Sequence, residues 1–183
     1  MTDLMGLIGV AAHYYTNFIG TLLLYPQDKF SLIVGTIMNN PKARAGHYYI
    51  FTGKPGTGKT TIMNILRWTF ENDSAVVFVE DYDPNKIQVD PSKTYFIATN
   101  LPKEQIDIPK NERGIPRATV IETSGTRFPR DVYKTYMYDF ERHIDCYKLV
   151  CNSAYQIWHA TKSEDRHAKK FQRKFNEDFM SDN

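Results

Sequence analysis

The residues best suited to chemistry lie in one short segment, residues 53–60, which reads Gly-Lys-Pro-Gly-Thr-Gly-Lys-Thr. A triphosphate is a dense negative charge, and backbone N–H groups can surround it where the chain curls tightly, as glycine permits. In this pattern the Lys59 ammonium reaches the β- and γ-phosphates, and the Thr60 hydroxyl ligates Mg²⁺. The segment therefore predicts a loop that binds ATP with Mg²⁺ through Gly53, Lys54, Pro55, Gly56, Thr57, Gly58, Lys59, Thr60 and Thr61.

Two carboxylates, Glu80 and Asp81, directly follow an apolar run at residues 76–79. Hydrolysis of a bound triphosphate needs one carboxylate beside the metal ion and one that orients or deprotonates water. We therefore predict Glu80 and Asp81 as catalytic acids, and as metal ligands together with Thr60. The alternative is a strand that ends in a solvated acidic turn.

A side-chain amide follows a second apolar run, where residues 95–99 lead into Asn100-Leu101-Pro102. An amide at the carboxyl end of a strand can hydrogen-bond both to a water molecule and to the γ-phosphate. We predict Asn100 as a catalytic residue in this sensing position. The alternative is a residue that only forms the turn before Pro102.

Alternating strands and helices must position these residues. Residues 48–51 are apolar and aromatic and run directly into the glycine segment, whereas residues 60–70 carry apolar side chains at helical spacing. Apolar runs at 75–79, 95–98 and 118–121 predict further strands, with a weaker strand at 148–151. Residues 132–144 and 153–160 are predicted as helices. The fold class expected is α/β, a P-loop NTPase with a mostly parallel sheet flanked by helices.

The chain divides into three predicted parts: a helical prefix packed on the core (1–45), the NTPase core (46–160) and a charged C-terminal helix (161–183). Residues 4–25 contain no charged residue and approach the length of a membrane span. Their glycines, the polar His13 and the lack of a flanking basic residue favour a buried helix that stops at Pro26. We therefore expect no membrane span.

Composition indicates one compact domain, with 183 residues of which 42% are hydrophobic and 24% charged. The formal charge of +2 is too near neutral to indicate a nucleic-acid partner by itself. Cys146 and Cys151 lack the density of a disulfide scaffold and the spacing of a metal site. We expect a soluble intracellular protein in a reducing compartment.

Residues 53–60, 76–81 and 95–100, in this order, resemble the A, B and C motifs of superfamily 3 helicases, which are viral replication ATPases with an AAA-like core. The resemblance covers about residues 45–125. It implies a helicase-type motor that hydrolyses ATP in viral DNA replication, as a homo-oligomeric ring on single-stranded DNA within an infected host cell. It also implies that an arginine of one subunit reaches its neighbour's nucleotide, and Arg113 and Arg117 occupy the corresponding region.

The spacing between the motifs departs from that family. Between the glycine segment and Glu80 there is room for one helix but hardly for a further strand and helix, and the gap to Asn100 is also short. If residues 75–79 form only the strand after the first helix, the acidic strand lies elsewhere. The candidate is then the run at residues 120–122, which ends in Glu122.

A nucleoside or nucleotide kinase is the rival class, because it also begins with a strand, a phosphate loop and a helix. Asp81 or Asp83 would then accept the proton of the substrate hydroxyl, and the basic segment at residues 162–173 would resemble a lid. Residues 1–45 have no evident role in a small kinase. A third class, a regulator that binds nucleotide without hydrolysing it, would leave Glu80 and Asp81 idle.

Overall fold

The structure, a computed structural model, describes residues 4–80, 83–86, 88, 90–108 and 110–180. The described helices are α1 Leu4–Leu22, α2 Gln27–Asn39, α3 Lys59–Thr69, α4 Arg130–Arg142 and α5 Ile144–Met180. The described strands are β1 Leu23–Leu24, β2 Tyr48–Thr52, β3 Val76–Glu80, β4 Thr94–Thr99 and β5 Ala118–Thr123. These elements confirm the α/β prediction, and their arrangement is compatible with a P-loop-like fold.

The five strands form one mixed sheet in the order β1-β5-β2-β4-β3. Four strands run parallel, and only the short β1 pairs antiparallel, with β5. Thr52, the last residue of β2, pairs with Thr99 of β4 on one side and with Glu122 of β5 on the other. Because parallel strands end at the same edge, the segments after β4 and β5 flank the segment that follows β2.

The sheet buries both of its faces, as expected when the side chains of a strand alternate. One face presents Tyr49, Phe51, Phe96 and Ile121 to a large core that also takes in buried side chains from all five helices. The other face forms a smaller cluster, and the buried side chain that covers it from the chain between β4 and β5 is Ile106. All five described positions of β2 are buried, which makes this strand the centre of the domain.

The first two helices pack on the core, but they are interrupted by a strand. We predicted one helix over residues 4–25, whereas α1 ends at Leu22 and the next two residues pair with β5. The backbone N–H of Ser124 donates to the carbonyl oxygen of Leu22 over 2.8 Å, which anchors the end of α1 beside the end of β5. Among the described residues no helix is both long and apolar enough to cross a membrane.

The weak strand prediction at residues 148–151 is wrong, because these residues lie inside the 37-residue helix α5. Tyr147, Val150 and Cys151 are buried while Leu149 is 43% exposed. Burial at steps of three and four residues is helical periodicity, which a four-residue apolar run cannot distinguish from a strand. The predicted helix at 153–160 is part of the same long helix, whose backbone continues to Met180.

Candidate functional site

The segment between β2 and α3, residues 53–60, forms a tight loop that we call the glycine loop. Gly56 and Gly58 have φ angles of +78° and +96°, a region that side chains disfavour. Gly58 caps the start of α3, and the helix then runs away from the loop. The first turn of α3 therefore leaves backbone N–H groups directed at the loop, together with the positive end of the helix dipole.

Close packing against β5 fixes the start of the glycine loop. A Cβ atom built on Gly53 would lie 1.9 Å from Oγ1 of Thr123 and 2.8 Å from Oγ1 of Thr57. The Thr123 hydroxyl donates to Oγ1 of Thr57 over 2.7 Å, and the Thr57 hydroxyl donates to the carbonyl oxygen of Lys54 over 2.6 Å. Position 53 has no room for a side chain, so it requires glycine. The hydroxyls of Thr57 and Thr123 stabilise the loop through their hydrogen bonds.

Lys59 turns its side chain into the loop. Its ammonium donates to the carbonyl oxygen of Gly53 over 2.5 Å and to that of Lys54 over 2.9 Å, and the residue is only 8% exposed. A buried ammonium needs such partners because desolvation disfavours its charge. The cation is therefore held at the centre of the curl, where an anion bound by the loop would meet it.

A cavity of about 540 Å³ opens beside the loop and the start of α3. Its size lies within the range usual for small-molecule sites, roughly 300–1,000 Å³. Residues 55–61 form one wall, and the others come from distant parts of the chain: Leu22, Asn100, Thr126, Arg127, Phe128 and Tyr133. Polar loop groups and apolar side chains thus meet in one space, which suits a ligand with a charged end and a ring system.

A second cavity, of about 420 Å³, lies on the other side of the glycine loop. It is bordered by the first residues of the loop and by the segments that follow β4 and β5, with Lys54, Asn100, Lys103 and Glu122 among its lining. Thr57 and Asn100 border both cavities. The loop is therefore a partition between two spaces, and Asn100 lies at the junction between them.

The predicted acids occupy a less central place. Glu80 ends β3, which β4 separates from β2, so its backbone is about 10 Å from that of β2. Its carboxylate accepts a hydrogen bond from Nη2 of Arg67 over 2.9 Å, and the two form a partly exposed ion pair. Asp81 lies outside the described residues. The structure thus brings Asn100, but not Glu80, into the lining of the two cavities.

The two predicted arginines lie away from the glycine loop of their own chain. The carbonyl oxygen of Arg117 accepts the N–H of Tyr48 over 2.8 Å, so Arg117 lies at the edge where β2 begins. The loop follows the other end of β2. Arg113 is exposed in a turn in which the Asn111 side chain accepts its backbone N–H over 2.9 Å. Neither residue lines either cavity.

Sequence reasoning missed three residues near the loop: Thr123, Arg127 and Tyr133. Nη2 of Arg127 lies 3.3 Å from the position of a Cβ atom on Gly56, so this guanidinium extends over the loop. The Tyr133 hydroxyl lies 2.9 Å from Oγ1 of Thr61. The available signal was the polar segment directly after the strand at 118–121, which a parallel sheet places at the same edge as the glycine loop.

Within the described part of the chain, no group of three or more His, Cys, Asp or Glu side chains could hold a metal ion. A magnesium site of the kind predicted would not require one. Mg²⁺ keeps several water ligands and is commonly bound by one or two protein oxygens together with phosphate oxygens. The exposed Thr60 hydroxyl, which borders the first cavity, fits such a set.

No protein-family model matches the chain, and no curated protein matches it. A solved structure titled "The A form apo structure of NrS-1 C terminal region-CTR" is 14% identical, with a TM-score of 0.48 and 85% of this chain covered. A second, titled with the residue range 305–718 of the same region, is 17% identical, with a TM-score of 0.45 and 77% covered. This chain spans 48% and 43% of those two chains.

Proposed function

We propose that the chain binds ATP on the glycine loop and hydrolyses it, as a helicase-type motor domain. The observation that carries the proposal is the loop geometry. A buried central strand enters a curl with two left-handed glycines, the Lys59 ammonium is held inside that curl, and a helix begins directly after it. Strand, glycine curl, lysine and helix in this order constitute the phosphate-binding arrangement of P-loop NTPases.

In this proposal the triphosphate lies along the glycine loop. Backbone N–H groups of the loop and of the first turn of α3 donate to its oxygens, and Lys59 exchanges its carbonyl partners for the β- and γ-phosphates. The missing side chain at Gly56 leaves room for the phosphates. Thr60 would hold Mg²⁺, which neutralises charge on the phosphates when bound. The fit rests on a curl that a Cβ atom at Gly53 would fill.

The apolar part of the first cavity is suited to the nucleoside. Leu22, Phe128 and Tyr133 border it, and Phe128 is half-buried and stacks on Phe18, with ring centroids 4.9 Å apart. An aromatic ring held in this way offers a fixed surface to a base. We assign the phosphates to the glycine loop and the base to this apolar wall.

The reaction proposed is attack of water on the γ-phosphorus, with Asn100 orienting the water or the phosphate from the end of β4. Glu80 and Asp81 remain the acids expected from the resemblance to superfamily 3 helicases. That resemblance also supports the remaining proposals: single-stranded DNA as the track, a homo-oligomer as the working form, and viral DNA replication in an infected cell as the setting.

A kinase is the second candidate, and the second cavity favours it. This space of about 420 Å³ adjoins the glycine loop and is lined by the cations Lys54 and Lys103 and by the carboxylate of Glu122. Such a lining would suit a small acceptor that carries a phosphate and a hydroxyl. The basic segment proposed as a kinase lid starts at Lys162, and the side chains from residue 164 lie outside the described residues.

Phosphate release by the purified protein tests the proposal, with and without single-stranded DNA, beside a panel of nucleosides and nucleoside monophosphates. We expect ATP-dependent phosphate release that DNA stimulates, and loss of ATP binding and turnover in Lys59→Ala. Lys134→Ala is the matched control, because Lys134 is exposed on α4 and borders neither cavity. Labelled phosphate on a nucleoside acceptor would favour the kinase, and a wild-type chain without ATP affinity would refute both.

A further inference from the structure

We propose that the exposed part of α5 binds single-stranded nucleic acid, with a base stacked on the ring of Trp158 and a phosphate beside the ammonium of Lys162. This inference rests on the part of the proposed function that assigns single-stranded DNA as the track, and it adds a place where the strand is held. Among the residues of α5 that the structure describes, none lines either cavity beside the glycine loop. The surface is therefore separate from the nucleotide site.

The second part of α5 projects from the core. The first part packs on it, where Tyr147, Val150 and Cys151 are buried, whereas residues 156–163 are exposed at every position. Eight residues make more than two turns of an α-helix, and a helix lying on the core would bury one side of each turn. The backbone continues as a helix to Met180, so the part after residue 155 is about 37 Å long.

The projecting part exposes an aromatic ring beside a cation. Trp158 is 38% exposed, and the Lys162 ammonium, one helical turn further along, lies 4.0 Å from the centroid of its ring. The attraction between the ammonium and the ring keeps the two groups together. Bases of a single strand stack on such rings whatever their sequence, because every base has a flat face. A motor that moves along DNA needs contacts of this sequence-independent kind.

Positive charge is concentrated in the same segment. Residues 162–174 contain six Lys or Arg and two Asp or Glu, although the formal net charge of the whole chain is only +2, so the rest of the chain is net negative. Steps of three or four residues place five positions on one face of a continuous helix. These positions are Trp158, Lys162, Arg166, Lys169 and Arg173. A basic stripe along a helix is the electrostatic pattern of a nucleic-acid interface.

A second copy of the chain is the alternative occupant, because Ile157 is 64% exposed next to Trp158. Two copies that met along the basic stripe would bring like charges together, whereas a phosphate backbone neutralises them. Ile157 lies about 100° around the helix from Trp158, so an apolar contact through Ile157 would use another side of α5. The charge of the stripe thus favours nucleic acid, and the two sides can be tested separately.

The fluorescence of the full chain provides the first test, in a titration with oligo(dT) without nucleotide. The chain has two tryptophans, and the other one, Trp68, is half-buried in α3. In Trp68→Phe only Trp158 emits, and we expect oligo(dT) to quench it because the base stacks on the indole ring. In Trp158→Phe only Trp68 emits, and its fluorescence should stay constant.

Affinity for labelled oligo(dT) provides the second test. We expect Trp158→Ala to lower this affinity by about fivefold or more, and Trp158→Phe to retain part of it. Lys162→Ala should reduce the slope of log affinity against log salt concentration by about 0.7, the value for one phosphate contact on a single strand. Ile157→Ala is the matched control and should stay within about twofold of wild type. A duplex of the same length should bind more weakly, because its bases are already stacked on each other.

The outcomes are distinguishable. Unquenched Trp158, or affinity within about twofold of wild type in Trp158→Ala, would overturn the inference. Equal affinity for the duplex would overturn it too, because phosphate contacts alone would then explain binding. Equal losses in Ile157→Ala and Trp158→Ala, with self-association lost in sedimentation, would assign the surface to a second copy. A chain that binds oligo(dT) but not ATP refutes the proposed ATPase and leaves this inference intact, whereas an active ATPase without affinity for single strands overturns only this inference.

Discussion

Oγ1 of Thr123 occupies the space next to Gly53 in which a side chain would begin, 1.9 Å from the ideal Cβ position. Gly53→Ala should therefore displace either the start of the glycine loop or the end of β5. We expect it to destabilise the fold by about 1–3 kcal/mol, the usual cost of overpacking, and to weaken ATP binding. Urea unfolding and a binding titration measure the two effects.

A compensating variant tests whether the clash is the cause. Gly53→Ala combined with Thr123→Ala removes the nearest colliding oxygen. Two contacts of the added Cβ remain, 2.8 Å to Oγ1 of Thr57 and 3.2 Å to the Cβ of residue 123. The double variant should regain part of the stability lost in Gly53→Ala. If it is no more stable than Gly53→Ala alone, the strain arises within the glycine loop, from its backbone or from Thr57, rather than from Thr123.

The elements whose order could be read locally were predicted correctly. Residues 48–52 alternate between the two faces of the sheet and lead directly into the glycine loop. The residues after the loop carry apolar side chains at helical spacing. The positions of β2, the loop and α3 could therefore be predicted from the sequence. The two-residue strand β1 was not predicted, because it exists only through pairing with β5, about 100 residues away. The misassigned run at 148–151 was too short to show its period.

The site shows the same division between local and non-local information. The tight loop at residues 53–60 was predicted from residue types and spacing alone, and its role in binding stays a prediction. Glu122 was predicted only as an alternative acid and Arg127 was not predicted at all, because each comes near the loop only when β5 lies beside β2, and no single segment contains this strand order. The Arg67–Glu80 ion pair could likewise not be predicted from the sequence, since it joins a residue of α3 to the end of the edge strand β3.

Arg127 should distinguish ATP from ADP. Its guanidinium extends over Gly56 within the first cavity, and among the described residues none pairs with it, so an added γ-phosphate would gain a charge-assisted hydrogen bond. We expect Arg127→Ala to weaken ATP binding by about tenfold or more, with a smaller effect on ADP. Arg127→Lys should be intermediate because lysine keeps the charge without the planar fork.

Arg130→Ala is the matched control for Arg127→Ala, because Arg130 is an exposed arginine three residues away that borders neither cavity. Competition titrations with both nucleotides provide the measurement. Equal losses of ATP affinity in the two variants would indicate a general charge effect and would remove the specific role of Arg127.

The crossing of α2 and α5 depends on Gly35. A Cβ atom there would lie 2.1 Å from the carbonyl oxygen of Cys151, which is backbone and cannot rotate away. Although alanine favours a helix over glycine by about 1 kcal/mol, Gly35→Ala should destabilise the protein by about 1–3 kcal/mol. Gly9→Ala in α1 is the control, since no described atom lies within 4 Å of its Cβ position, and it should be neutral or stabilising. Thermal unfolding of both variants measures the difference.

His47 should make the protein less stable in mild acid. Burial, followed by the positive charge of Arg44, lowers the pKa of His47 from 6.5 to about 4. Between about pH 6.5 and about pH 4, the unfolded chain therefore binds a proton at His47 that the folded chain does not bind. The free energy of unfolding falls as the pH drops below about 6.5, and the contribution of His47 stops changing below about pH 4. A His47→Gln variant should lose less unfolding free energy than wild type between about pH 7 and about pH 4.5, measured by urea titration. Equal losses would show that other groups cause the acid sensitivity.

The predicted arginines can act only across an interface between two copies. Arg117 precedes β5 at the edge opposite the glycine loop, and a six-residue strand separates those edges by about 20 Å. Arg113 lies in the exposed turn before it and borders neither cavity. If the working form is an oligomer, either residue is free to reach the nucleotide of a neighbour, where one guanidinium supplies a large part of phosphoryl-transfer catalysis.

Mixing two inactive variants tests this arrangement directly. Lys59→Ala removes the nucleotide site but keeps both arginines, whereas the Arg113→Ala/Arg117→Ala variant keeps the site and lacks them. Each alone should release little phosphate, and a mixture should recover activity because a neighbour supplies the missing arginine to an intact site. Sedimentation or light scattering should show the two variants associating. Full activity of the double-arginine variant as a monomer would contradict the interface role, because catalysis would then be complete within one chain.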